Sequence, residues 1–338
     1  MKQISLIGLS RAGKTCYTYA MAKVMRAGKN GITVFAPDRD MDEQLFAGWR
    51  RIRKEGFWPS GTDIVENGFR FQCQLFAKPV FDFWWKDYKG GALVGGDEND
   101  KQFRTEEFFD YVKASDGMII FMASDMIMNI LKQGEGWDLD FEDLQDLGRY
   151  LPQLGERIKD IPVTIAITKS DLLDNKSKAI VVEFVQHTIP SLFVEGSYIN
   201  TLIAFVSLGT GLNGNQGETI TGSVYSDPSQ GNIHLPVLFN LYFDLENEIT
   251  SAKQKLDELK NNLDIIQTGI ITADNHTWFY NMLNGYDINE LRKNGERIRE
   301  AIENLEKKIQ EAEKNIEVVR KEFVKDCQYY YNGKLQTL

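Results

Sequence analysis

Short, almost unbroken apolar runs recur through the first two thirds of the chain, separated by helical stretches and Gly-rich turns. The clearest are residues 4–7, 118–122, 163–167 and 202–206. Continuous hydrophobicity over four or five residues fits strands buried on both faces, as in a parallel sheet covered by helices. Residues 69–75 and 80–85 read as two further strands, and Phe76-Ala77-Lys78-Pro79 between them predicts a hairpin on the sheet edge. Residues 209–236 are rich in Gly, Ser and Asn without periodicity and read as a surface loop.

Beyond that stretch the period changes. Leu245, Ala252, Leu259 and Ile266 recur every seventh residue, interleaved with Ile249, Leu256 and Leu263. A second series runs through Leu291, Ile298, Leu305, Ala312 and Val319, interleaved with Ile302, Ile309, Ile316 and Phe323. Paired seams over several heptads predict coiled-coil-like helices. The short connection through Asn284-Gly285 suits an antiparallel hairpin, with residues 290–330 as one helix about 60 Å long at 1.5 Å per residue. Pairing within one chain and pairing between two chains satisfy the same heptads. The expected division is therefore an α/β domain at 1–235 and a helical hairpin region at 236–338.

Composition narrows the setting. The 338 residues carry 39 Lys+Arg against 49 Asp+Glu, a formal charge of −10, so no overall cationic surface invites nucleic acid or an anionic membrane. Cys16, Cys73 and Cys327 are scattered and form no CxxC pair, which suits a reducing compartment. No apolar run approaches a membrane span, and the N-terminus enters a strand and a Gly-rich turn where a signal peptide would continue its apolar region. A cytoplasmic protein, with neither nucleic acid nor membrane as partner, is the expectation.

The chemistry is concentrated at Gly8-Leu9-Ser10-Arg11-Ala12-Gly13-Lys14-Thr15, which satisfies GxxxxGK[ST] in full, after an apolar strand and before a helix. Such a loop turns successive backbone N–H groups and a helix N-terminus toward phosphate oxygens. Gly8, Ser10, Arg11, Ala12, Gly13 and Cys16 are expected to line it. Lys14 is expected to reach the β- and γ-phosphates, and Thr15 to ligate Mg²⁺. A P-loop alone does not choose between ATP and GTP.

Residues 161–167 run into Thr168-Lys169-Ser170-Asp171, which resembles the [NT]KxD base-recognition motif of the Ras-like (TRAFAC-class) P-loop GTPases. A carboxylate at Asp171 can accept hydrogen bonds from guanine N1–H and its exocyclic amine, a donor pair that adenine lacks. The stem of Lys169 can lie over the base. Thr168 stands where Asn is commoner, as it does in dynamins. Asp87-Tyr88-Lys89-Gly90 matches DxxG: the resemblance implies that Asp87 holds Mg²⁺ through water and that the Gly90 amide senses the γ-phosphate. Asp82, after Pro79-Val80-Phe81, is the rival for that role. Thr62 is the candidate switch threonine and a further Mg²⁺ ligand, and Ser207-Leu208 resembles the loop that touches the guanine carbonyl. In family order these regions span residues 8–209, and the Gly8–Thr15 sequence, with the pairing of Trp58-Pro59-Ser60-Gly61-Thr62 and Asp87-Tyr88-Lys89-Gly90, is most similar to bacterial double-GTPase-type families. The resemblance implies a Ras-like three-layer fold with a mostly parallel sheet, and Mg²⁺ with GTP or GDP as ligands.

Two departures bear on mechanism. Ras-type enzymes place a water-orienting Gln after the DxxG glycine, where this chain has Gly91. Arg11 adds a cation beside the phosphates, able to offset transition-state charge or simply to face solvent. The expected activity is GTP hydrolysis, slow or partner-assisted, in a switch that acts on a protein partner or a second copy through the C-terminal helices. The alternatives are a low-turnover nucleotide-binding scaffold or effector subunit, a dynamin-like membrane remodeller and a P-loop ATPase.

Overall fold

The computed structural model describes residues 1–8, 11–59, 68–87, 110–133, 148–149, 151–152, 158–159, 161–214, 218–274, 288–323 and 326–338. The apolar runs form the centre of one nine-stranded sheet. Strands β1 (Lys2–Gly8), β5 (Gly117–Ala123), β6 (Pro162–Thr168) and β7 (Asn200–Phe205) lie beside one another in parallel, and β4 (Lys78–Asp87) pairs parallel with β1 on its other side. Every residue of β5 and of β6 is buried, as continuous hydrophobicity requires of strands covered on both faces.

Alternate residues supply two cores. Met118, Ile120, Met122, Val163, Ile165 and Ile167 pack with Ile127 and Ile130 of α3 (Ser124–Gln133) and with Val181 and Val185 of α4 (Asn175–Thr188). On the opposite face, Tyr17 of α1 (Lys14–Ala27), the helix that precedes α2 (Arg39–Arg50) in the chain, stacks on Trp85 at 5.8 Å and meets Phe121 edge-on at 5.0 Å. The sheet is thus a middle layer with helices on both sides, a mixed α/β architecture.

Both margins are antiparallel. The hairpin of β3 (Phe69–Leu75) and β4 forms as the sequence indicates, but not at the edge: β4 joins β1, and β2 (Ile32–Phe35) pairs outside β3. At the far margin, β10 (Cys327–Tyr331) pairs antiparallel with β7 and then with β11 (Lys334–Gln336). The expected single helix over 290–330 therefore stops early, at Arg320, and the chain returns to the sheet. The three successive tyrosines Tyr329, Tyr330 and Tyr331 have the aromatic character that a partly buried strand favours. Residues 209–236 are likewise not a plain loop, because β8 (Gly209–Asn213) and β9 (Thr221–Val224) form a small antiparallel sheet.

The chain has two compact units: Met1–Leu241 with Glu322–Leu338, and Tyr242–Lys321. The boundary falls after Leu241 because Leu235, Leu238, Phe239 and Leu241, in the first two turns of α5 (Leu235–Asp274), are buried in the first unit. Phe239 also packs edge-on against Phe323 and Tyr329. The second unit consists of the rest of α5 and of α6 (Ile288–Arg320), paired in antiparallel fashion within one chain. Lys253 bonds Glu313 at 2.8 Å and Lys260 bonds Glu306 at 3.0 Å, so seven residues forward on one helix correspond to seven back on the other. The predicted seam is the contact face: Ile302, Ile309, Ala312, Ile316 and Val319 are buried.

Candidate functional site

The carboxyl ends of the parallel strands place the motif residues along one margin. Gly8, the last residue of β1, is paired with Phe121 of β5; Ala123 is paired with Thr168 of β6, and Ile167 with Phe205 of β7. This is the margin at which open α/β sheets bind ligands. On the other side of β1, Asp87 is level with Leu6 at the same end, whereas Asp82 lies before Phe83, the partner of Lys2, at the opposite end. Asp82 is also engaged there, accepting from Gln72 Nε2 at 3.1 Å and from Arg70 Nη2 at 3.5 Å.

The turn from β1 into α1 bends tightly. Gly8 runs so close to β5 that a Cβ would lie 2.6 Å from the Phe121 carbonyl oxygen. Gly13 caps α1 in the left-handed region (φ 87, ψ 11), where side chains are strained, and as a glycine it gives that helix end no side-chain cap of its own. Lys14 folds back over the turn, and its Nζ donates to the Gly8 carbonyl at 2.7 Å. The ammonium thus lies across the loop mouth, and the first turn of α1 presents its N-terminal dipole there. Arg11 is exposed, with φ 65. Cys16 is partly buried and its thiol pKa is pushed up to about 12, chiefly by desolvation, with the Lys169 charge acting in the opposite direction.

Thr168 makes the connection direct. Its hydroxyl donates to the Ala12 carbonyl at 2.9 Å, joining the end of β6 to the loop after β1. Lys169 then adopts a left-handed conformation (φ 54), and its Nζ pairs with Asp125 Oδ2 at 2.6 Å. Ser124 Oγ donates to the Lys169 carbonyl at 2.7 Å. Asp171 is in the short 3₁₀ turn that follows, and its carboxylate accepts from the Leu212 N–H at 3.2 Å. Burial raises the Asp171 pKa, opposed by the backbone N–H groups that bond it and reinforced by the Asp125 charge.

Ser207 follows β7 at the same margin, but its N–H donates to the Gly231 carbonyl at 3.0 Å, and the Leu208 carbonyl accepts from Tyr225 N–H at 2.9 Å. The Ser207 amide is therefore engaged inside the protein instead of facing a ligand. Ser10, Thr62 and Gly90 lie outside the described residues, and so does the side chain of Asp87. Ser124, Asp125 and the Gly211-Leu212 pair were not singled out from the sequence. A Ser-Asp step at the end of the apolar run 118–122 is the one signal that could have drawn attention to the first two, since it falls where ligand-facing residues of such sheets stand.

No family model matches the chain, and no curated protein matches it either. Among solved structures, one match belongs to work on an oligomerised bacterial dynamin pair described as providing a mechanism for long-range sensing and tethering of membranes. It is 17% identical, with a TM-score of 0.39, covering 92% of this chain and 48% of that one. The chain thus spans about half the length of that protein's chain. At this distance the likeness bears on neither activity nor partner. Among the described residues, no helix is long and apolar enough to cross a membrane.

Proposed function

We propose that the protein binds GTP and GDP with Mg²⁺ and hydrolyses GTP, slowly or with a partner's help, as a switch. The hydrogen bond from Thr168 to Ala12 carries this reading, because it joins a complete phosphate-binding loop to a base-recognition sequence more than 150 residues away. In this reading the amides of Gly8, Ser10, Arg11, Ala12, Gly13 and Cys16 and the Lys14 ammonium hold the phosphates. Thr168, Lys169, Asp171 and Leu208 hold the guanine. The sheet supports it too: its centre is parallel and helices cover both faces, the mostly parallel three-layer arrangement that the Ras-like resemblance implies.

Mg²⁺ fits the donors assigned to it. Thr15 and Thr62 would contribute hydroxyl oxygens and Asp87 a carboxylate through water, a sparse hard-oxygen set of the kind Mg²⁺ accepts when phosphates and water complete its shell. When bound it would neutralise charge on the phosphates. In hydrolysis, water adds to the γ-phosphorus and the bond to the β–γ bridging oxygen breaks, leaving GDP and inorganic phosphate. The Gly90 amide would sense the γ-phosphate, and Arg11 would stabilise charge that develops on it. Gly91 offers no side chain to orient the water, so turnover without a partner should be low. The helical unit would carry the nucleotide state to a protein partner or to another copy of the chain.

Equilibrium binding of fluorescent GDP and ADP tests the reading. Lys14→Ala should remove binding of both, whereas Asp171→Asn should keep phosphate binding and erase the guanine preference. Equal affinity of the native protein for GDP and ADP would overturn it. Gly91 favours one second reading, a nucleotide-binding scaffold or effector subunit with little turnover. Persistent bound GTP after purification supports that alternative, and brisk phosphate release by the isolated protein rules it out.

A further inference from the structure

The hairpin of β8 and β9 has a defect in a functional place. Its register runs Gly209 to Val224 and Thr210 to Ser223, then slips, so that Asn213 is opposite Thr221. The slip isolates Gly211 and Leu212 as a β-bulge. Gly211 is left-handed (φ 61), and a Cβ on Gly222 across the hairpin would lie 2.4 Å from the Gly211 carbonyl oxygen. Gly211 takes the conformation that glycine tolerates, and Gly222 admits the close approach. The consequence is that the N–H groups of the bulge leave the ladder. The Leu212 N–H donates to Asp171 Oδ2 at 3.2 Å, and the neighbouring Gly211 N–H adds to the backbone field that holds this carboxylate charged.

The hairpin is held from its other side as well. Trp58 N–H donates to the Glu218 carbonyl at 3.1 Å, and the Trp58 indole Nε1–H to the Asn213 carbonyl at 3.3 Å. The Ile220 N–H donates to the Gly56 carbonyl at 2.7 Å, and Phe57 forms a bridge with Thr219. Three hydrogen bonds, two from the backbone and one from the indole, thus tie the hairpin to residues 56–58.

We propose that the β8–β9 hairpin is a specificity element of the base site, in which the bulge amides of Gly211 and Leu212 position Asp171 and Trp58 fixes the hairpin. The proposal rests on the guanine reading above. A carboxylate has about four acceptor sites. The Leu212 N–H at 3.2 Å takes one of them and aims the carboxylate, leaving lone pairs for guanine N1–H and its exocyclic amine. A carboxylate fixed in advance also loses less freedom on binding, so the ligand's hydrogen bonds contribute more of their strength. Gly211, Leu212 and Trp58 are positioning residues here, acting through Asp171.

The test compares affinities for GDP, for inosine diphosphate, which lacks the exocyclic amine, and for ADP. Leu212→Pro removes the amide donor and Leu212→Ala keeps it. The GDP to inosine diphosphate affinity ratio should fall roughly tenfold in Leu212→Pro, on the scale of one hydrogen bond to a charged group. It should be unchanged in Leu212→Ala, and inosine diphosphate, which keeps N1–H but lacks the amine, should lose less affinity than GDP in Leu212→Pro. Thermal unfolding checks that both variants fold. If Leu212→Pro does not, Trp58→Phe decides, since it removes the indole donor while keeping an aromatic ring at a partly exposed position, and it should lower the same ratio. An unaltered ratio in whichever variant decides would overturn the proposal while leaving the guanine reading intact. A native protein that does not distinguish GDP from ADP would instead overturn the guanine reading itself.

Discussion

At the residue scale, Thr168 shows how much one hydroxyl can organise. It is buried at 6% exposure, and its donor satisfies a carbonyl in a loop that arrives from the far end of the chain. Thr168→Val keeps the shape and leaves the Ala12 carbonyl without that donor, which should cost about 1–2 kcal/mol of stability and also weaken nucleotide binding. Thr168→Ser should restore both, as measured by denaturant unfolding and GDP titration. The cysteines make a second prediction. Burial puts the Cys16 thiol at about 12 and the Cys327 thiol at about 11, and Cys73 is 1% exposed. Thiolate is scarce at pH 8 in such surroundings. A thiol reagent should therefore react slowly with the native protein and titrate all three cysteines promptly in denaturant.

At the scale of elements, the two long helices show local pattern and tertiary contact agreeing. The heptad seam coincides with their shared face, because burial of one stripe on each helix is the driving force. Ile309 is 7% exposed in that seam, so Ile309→Ala should destabilise the helical unit by about 2 kcal/mol in far-UV circular dichroism melts. Lys260→Ala removes an ion pair whose side chains are 51% and 44% exposed, and should change the same melt by less than about 1 kcal/mol. The small hairpin of β8 and β9 is the opposite case. Its alternation is too short and too polar to register as strand, and the bulge interrupts what pattern there is. Glycine content signalled a loop, whereas the glycines are what allow the bulge.

Over the whole molecule, the return of the chain after the helices matters most. Glu322, just past α6, meets Lys29 at 3.1 Å and His234 Nε2 at 3.3 Å, with Asn30 as a further donor. This cluster joins the turn after α1, the start of α5 and the returning segment, all inside the first unit. The hydrogen bond with His234 and then those with Lys29 and Asn30 hold the Glu322 carboxyl at about 2, below its ordinary 4.5. A depressed carboxyl pKa stabilises the folded state above the unfolded value, and the stabilisation disappears as pH falls through the folded one. From this group the thermal stability should be flat above about pH 5 and decline between roughly pH 4.5 and 2. Glu322→Gln should be less stable at neutral pH and lose that decline, as thermal melts across the pH range would show.

Sequence alone determined the features that repeat or follow a fixed spacing. Four apolar runs became the four strands at the centre, because burial on both faces leaves no room for alternation. The heptads became a helical pair, and GxxxxGK[ST] became a turn and a helix start, since each is written in adjacent residues. Tertiary structure decided what depends on distant partners. It chose intrachain antiparallel pairing for the helices, placed β2 outside the β3–β4 hairpin and returned β10 to β7. It also set Asp87, not Asp82, beside the loop end of β1, and it brought Leu212 to Asp171. The physical reason is common to all of these. Sheet order, strand register and the aim of a bulged amide depend on which surfaces meet, and no local period encodes that.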